Sequence, residues 1–287
     1  MKRALGAAAA AIWLALASPA AAEPVVWTVR DADSTIVLFG SVHLLPDGLD
    51  WRPAALDAAL IQADDLWFET PMDAASAAET ARLVQQRGFL PVGQSLLATL
   101  TPEGRGRLDR LAGKLGLAPA ALDRLTPWLA DLTLSLTFLA SQGAGGETGV
   151  EKSLAEAAPG AERRAFETGA EQIALFADAP TADQLASLED TLRQLEDDPD
   201  GYDRLLAAWM AGDVGALEAA GLTPIREASP ALYERLIAAR NRRWVEVIRR
   251  RLAGSGETVV VVGAGHLVGP DSVPALLRAG GIAVEGP

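Results

Sequence analysis

The chain has 287 residues, no cysteine and a formal charge of −13 at neutral pH. Without thiols it forms no disulfide and no thiolate-bound metal centre, so any metal would have to be held by His, Asp or Glu. The acidity argues against nucleic acid as a partner, because gripping a phosphate backbone takes a basic face.

Lys2 and Arg3 precede an apolar run over 5–17, and Ala20 and Ala22 supply a small-residue cleavage pattern. This reads as a secretory signal peptide cut before Glu23, which places the mature chain in the periplasm or outside the cell. The run is too short to favour a membrane span, which needs about 20 apolar residues, and no later segment qualifies. Removing 22 of the 287 residues leaves 265, and losing Lys2 and Arg3 takes the charge from −13 to −15. That length suits one domain with a sizeable core.

Two β-rich runs, 25–30 and 35–39, flank the polar turn 31–34 and predict a hairpin. A helix over 53–62 follows, with Pro53 early and Leu56, Ala59 and Leu60 on one side, then a short strand over 66–69 and a helix over 73–87. From 94 to 142 the pattern is helical. A strand is expected over 162–167, further helix over 170–220, a long amphipathic helix over 230–252, a strand over 259–262, a helix over 272–279 and a last strand over 282–284. Strand alternating with helix implies an α/β fold: a small mixed, partly parallel sheet flanked by helices, in a single domain over 23–287 with a large helical insertion over about 94–225.

The only two histidines fall in one frame. TIVLFGSVHL from Thr35 and TVVVVGAGHL from Thr258 share Thr, Val, Gly, His and Leu at the same positions. The apolar runs suit strands buried on both faces, so His43 and His266 should lie just past strand ends, where ligands of open α/β sheets gather. The alternative is that each histidine only ties down its loop. A second pair, LWFET ending at Thr70 and RAFET ending at Thr168, places Glu69 and Glu167 at strand-to-helix turns, with both threonines as candidate N-caps and a capping box after the second. On parallel strands about 4.8 Å apart, two imidazoles and two carboxylates could then converge. Such a group can bind a divalent transition metal with an open position for water, or carry out acid–base chemistry. No HExxH is present, which excludes the common zinc-peptidase helix.

In the long helix, Leu236, Arg240, Trp244 and Val247 recur at helical spacing, which puts Arg240 on the apolar stripe. A guanidinium there either meets an acid or a ligand, or stacks on Trp244 and snorkels to water. Arg242, Arg243, Arg249, Arg250 and Arg251 read as solvated. Ser41 reads as a loop hydrogen bond and the Trp128 run as helix core.

LFGSVHLLP, WFET, GVEKSL, FETGAEQIALF, ARNRRW and VVGAGHLVGPDSVPALLRAGG occur in that order along nearly the whole mature chain. Together they resemble the TraB/GumN family, related to the Tiki-type proteases. The resemblance implies an α/β core with a helical insertion and, for the Tiki branch, a metal-dependent peptidase using manganese or cobalt, with zinc as a further option. It carries functional roles onto His43, Glu69, Arg240 and His266, while Glu167 and Gln172 match the family's middle segment. The expected site therefore has His43, Glu69 and His266 as metal ligands, Glu167 as base or fourth ligand, Arg240 polarising a substrate carbonyl, and a peptide or protein as substrate. A metal-free hydrolase with His43 as base and a non-catalytic envelope protein binding a peptide, glycan or metal are the alternatives.

Overall fold

Apolar segments from both ends of the chain form the centre of the main sheet. The structure is a computed structural model that describes residues 23–145 and 149–287; the leader expected over 1–22 lies outside the described residues. The strands are β1 (Val26–Arg30), β2 (Ser34–Ser41), β3 (Leu45–Pro46), β4 (Asp65–Phe68), β5 (Ala144–Gly145), β6 (Glu162–Ala165), β7 (Gly256–Gly263) and β8 (Val284–Glu285). Six of them form one sheet in the order β6-β4-β7-β2-β1-β8, while β3 and β5 make a separate two-stranded ribbon. β6, β4, β7 and β2 run parallel, and β1 is antiparallel to both β2 and β8. The α/β class with a partly parallel sheet is thus what the molecule has.

Helices cover both faces of the sheet, as parallel strands require. Ile36 of β2 lies beside Val247 and Ile248 of the helix Ala239–Leu252. Phe39, of opposite parity, lies 5.8 Å from the ring of Trp51 and 6.1 Å from that of Trp209, whose indole N–H donates to the Gly40 carbonyl at 2.8 Å. Alternate side chains of one strand therefore feed two helical layers.

The interval 94–225 is largely helical, yet it divides between two cores. Leu96, Leu108, Leu111, Leu134, Leu188 and Leu192 pack in a satellite cluster away from the sheet. Val150, Leu154, Trp209, Leu217 and Leu222 join the main core, and β6 lies in the same interval as an edge strand of the main sheet.

The long C-terminal helix is continuous over 230–252 but contains a π turn, Glu234–Ala238, immediately before Arg240. An extra residue in one helical turn re-aims the side chains that follow, and such bulges recur at functional sites. Two local expectations need correction. The helix Ala74–Arg87 is capped by Asp73, whose carboxylate accepts from the Ser76 N–H at 2.9 Å, and not by Thr70, because the chain runs three more residues before turning. Arg243 and Arg251 are not merely solvated: Arg243 Nη2 lies 2.9 Å from Glu167, and Arg251 Nε lies 2.8 Å from Asp65, a carboxylate buried at the start of β4.

Candidate active site

Strands β2 and β7 are neighbours, but their pairing is offset by one residue from the motif alignment. Gly40 pairs with Val262, and Ser41 pairs with Gly263. The two motif glycines consequently face opposite sides of the sheet. Each is required for space, not for a left-handed backbone, since neither has a positive φ. A Cβ on Gly40 would meet the Ala264 backbone at 2.9 Å. A Cβ on Gly263 would sit 3.2 Å from Glu69 Oε1, 3.8 Å from His266 Cδ2 and 3.8 Å from His43 Nε2. Three side chains expected at the site thus surround one point, and the missing Cβ of Gly263 leaves that point open.

His266 ends the 3-10 turn Ala264–His266 and is 5% exposed. Its Nδ1 lies 2.6 Å from Asn241 Oδ1, while Asn241 Nδ2 donates to the Asp271 carbonyl at 2.8 Å. With its amide nitrogen committed as donor, Asn241 presents an acceptor, so His266 carries its proton on Nδ1. Its Nε2 accepts from Arg240 Nη1 at 3.0 Å, and Trp244 lies against the ring at 4.4 Å. Burial, together with the Arg240 charge, lowers the His266 pKa to about 3, so the ring is neutral at ordinary pH.

His43 is placed differently, with its side chain 67% exposed. Its Nδ1 lies 2.6 Å from Glu151 Oε1, and the Ser41 hydroxyl donates to the same oxygen at 2.6 Å. The hydrogen bond to Glu151 raises the His43 pKa to about 9, against an opposing effect of desolvation. Desolvation also pushes the Glu151 carboxyl upward, but the His43 and Ser41 bonds outweigh it and hold the group below its usual range. Glu151 comes from the helix Val150–Ala157, and Val150 N–H donates back to the Val42 carbonyl at 3.5 Å, which ties that helix to the His43 loop.

Glu69 and Glu167 sit side by side past the ends of β4 and β6, where the Glu167 N–H donates to the Glu69 carbonyl at 2.9 Å. Glu69 Oε1 accepts from the Gly263 N–H at 2.8 Å and lies 3.6 Å from His266 Nε2, while Oε2 accepts from Arg240 Nη2 at 2.6 Å and from Gln172 Nε2 at 3.3 Å. Burial works to raise its pKa. The His266 charge present in acid, the Arg240 charge and the Gly263 N–H overcome that and bring it to about 2.

Arg240 is saturated. Nε bonds Glu167 at 3.0 Å, Nη1 reaches the Leu236 carbonyl at 3.1 Å and His266 Nε2, and Nη2 reaches Glu69 and, at 2.9 Å, Glu167 Oε2. All five of its N–H groups are engaged, and the guanidinium also stacks 4.7 Å from the Trp244 ring centre. It is fixed in place and has no N–H to spare for a substrate carbonyl. Glu167, with its side chain 3% exposed, accepts from Arg240, Arg243 and, at 3.2 Å, the Trp244 indole. Its oxygens are spent on holding Arg240, which makes it a positioning residue and not a free base.

The structure thus brings His43, Glu69 and His266 around one gap, with Arg240 and Glu167 directly behind. Glu151 and Asn241 each bond the Nδ1 of one imidazole, and neither is singled out individually by the residue patterns. The free valences facing the gap belong to His43 Nε2 and Glu69 Oε1. Among the described residues, no three His, Asp or Glu side chains are arranged as a ready metal-binding group, and Arg240 occupies the lone pair that His266 would offer. No helix of the described residues is long and apolar enough to cross a membrane.

No solved structure matches the chain. Over 276 residues it is 25% identical to Uncharacterized protein YbaP of Escherichia coli (strain K12), covering 93% of this chain and 97% of that protein. It is 26% identical over 250 residues to the protein of the same name from Shigella flexneri, covering 84% and 87%. The profile of the TraB/PrgY/gumN family matches residues 25–286, and the chain belongs to the TraB/PrgY/gumN family.

Proposed function

We propose that the protein is a hydrolase of the periplasm or cell exterior that uses water as nucleophile and His43 as its acid–base group, with peptides as substrates. The location rests on the leader read at 1–22. The observation that carries the chemistry is the convergence of His43 Nε2 and Glu69 Oε1 on the gap at Gly263. A water in that gap is oriented by the Glu69 carboxylate and gives its proton to His43 Nε2 as it attacks the substrate carbonyl; Glu151 stabilises the imidazolium that forms, and collapse of the tetrahedral adduct breaks the scissile C–N bond as His43 returns that proton to the leaving amine. Arg240 and the Gly263 N–H hold Glu69 at one angle and in its anionic form, and neutral His266 packs behind Arg240. The exposure of His43 suits an extended substrate lying across the protein surface.

A second reading adds a divalent cation, and one observation favours it. Both imidazoles have their Nδ1 fixed by an oxygen, from Glu151 and from Asn241, as metal-binding histidines usually do. His43, Glu69 and His266 would hold the ion once Arg240 Nη1 releases His266 Nε2, and manganese, cobalt or zinc would supply a Lewis acid and a more acidic water.

Hydrolysis of a peptide and ester panel by the purified protein tests the proposal. Wild type should turn over at least one substrate, and His43→Ala should lose about 100-fold or more in kcat/KM, the usual contribution of a general base. Equal turnover by both would overturn it. Chelator-resistant activity with no stoichiometric metal supports the water-and-His43 form; loss of activity on chelation, restored by manganese or cobalt, supports the cation form.

A further inference from the structure

A cavity of about 310 Å³ opens one turn away from Arg240, at the low end of the size range for small-molecule sites, about 300–1,000 Å³. Two elements of the candidate site form its near wall. Leu236, whose carbonyl accepts from Arg240 Nη1, lines it from the π turn. Leu175 and Phe176 line it from the helix Gly169–Ala177, the same helix that carries Gln172 to Glu69.

The lining has two characters. Leu132, Leu232 and Leu236 provide an aliphatic channel, while Asp131, Asp183 and Asp190 also face the cavity and no Lys, Arg or His lines it. Asp190 is engaged by Gln194 at 2.6 Å and by Arg193. Asp131 receives the Ser187 hydroxyl at 2.8 Å and is also hydrogen-bonded by the side chains of Thr191 and Ser135, but among the described residues no cation pairs with it. An apolar channel ending at a carboxylate that hydroxyls hold and no cation pairs matches a group with an aliphatic stem and a positive head. Burial already pushes the Asp131 carboxyl above its ordinary range, and an arriving cation would offset that penalty.

We infer that this cavity is a specificity pocket for a basic side chain of a peptide substrate, lysine above all, with the stem along Leu132, Leu232 and Leu236 and the ammonium at Asp131. This deepens the hydrolase reading, on which its catalytic meaning rests, whereas the binding event does not depend on it. The strongly acidic chain would also draw basic peptides towards itself.

Calorimetric titration of the full chain with Ala-Lys-Ala blocked at both ends, and with its norleucine counterpart, tests the inference. Norleucine keeps the stem and lacks the ammonium. The lysine peptide should bind wild type about tenfold or more tightly than the norleucine peptide, the effect of one charge-assisted hydrogen bond, and Asp131→Asn should erase the difference. Equal affinity of the two peptides for wild type, a comparison that needs no variant to fold, would overturn the pocket, as would a lysine preference that survives in Asp131→Asn. His43→Ala should keep the lysine preference. A preference that persists in a protein without turnover removes the hydrolase reading alone; turnover without any lysine preference removes the pocket alone.

Discussion

The two GxxH turns carry the same residues past adjacent strands and put them to different uses. The β7 turn buries His266 between Asn241, Trp244 and Arg240 and keeps it neutral. The β2 turn leaves His43 exposed, tethered to Glu151 and readily protonated. The one-residue offset in pairing separates the glycines in the same way: Gly40 makes room for a backbone, and Gly263 makes room for the site. A repeated motif is therefore a repeated backbone solution, while the chemistry of each copy is set by what packs against it.

Charge burial behind the β7 turn gives the largest expected effect. Arg240→Ala leaves Glu69 and Glu167 buried with their principal cation gone and should destabilise the protein by about 3–5 kcal/mol, read from chemical denaturation. A loss below about 1 kcal/mol would contradict the tight network around Arg240.

His266→Ala opens a cavity beside Trp244 and strands Asn241 Oδ1, and should lose about 2–4 kcal/mol by the same measurement. His43→Ala removes an exposed ring but leaves the half-buried Glu151 with the Ser41 hydroxyl alone, and should lose about 1 kcal/mol, less than His266→Ala, while turnover collapses. Equal losses at the two histidines would erase the contrast between the turns.

The glycines divide in the same direction. Gly40→Ala forces a Cβ against the Ala264 backbone and should destabilise by about 1–3 kcal/mol. Gly263→Ala fills the gap while its closest contact is a side-chain oxygen, so its effect should fall mainly on kcat. Melting curves and steady-state rates of the two variants separate these outcomes.

The pH response separates the two histidines by sign. His43 has a raised pKa, so its contribution to stability is complete below about 6.5 and fades as pH rises through about 9, diminished by its exposure to solvent. His266 has a depressed pKa, so its contribution is complete above about 6.5 and is lost as pH falls towards about 3. Because the base form of His43 grows on the alkaline side, kcat/KM should rise with pH above neutrality. A rate that falls over that range would assign His43 the role of acid.

Much of this site can be read in the sequence because it is built on strand ends. His43, Glu69 and His266 each follow an apolar run, Glu167 follows the charged edge strand ERRA through Phe166, and parallel strands bring such ends to one edge of the sheet. Arg240 is conspicuous as a cation on an apolar stripe. Asn241 is harder to notice, although Ile237, Asn241, Val245 and Ile248 trace a buried stripe with one polar member. Hydropathy and spacing do not single out Glu151: it falls in the GVEKSL segment but sits in an ordinary amphipathic helix and meets His43 across 108 positions. The pairing offset and the π turn depend on tertiary packing, so neither hydropathy nor spacing announces them. The position of Asp131 in a cavity likewise follows from how the helices Pro127–Ser141 and Thr181–Asp197 pack together.

Because the chain has two histidines, an NMR titration of their ring nitrogens tests the central claim most directly. His266 should stay neutral with its proton on Nδ1 from pH 9 down to about 4, and His43 should titrate alone with a pKa above 6.5, returning towards 6.5 in Glu151→Gln. Two rings titrating together near 6.5, each indifferent to Glu151→Gln, would contradict it.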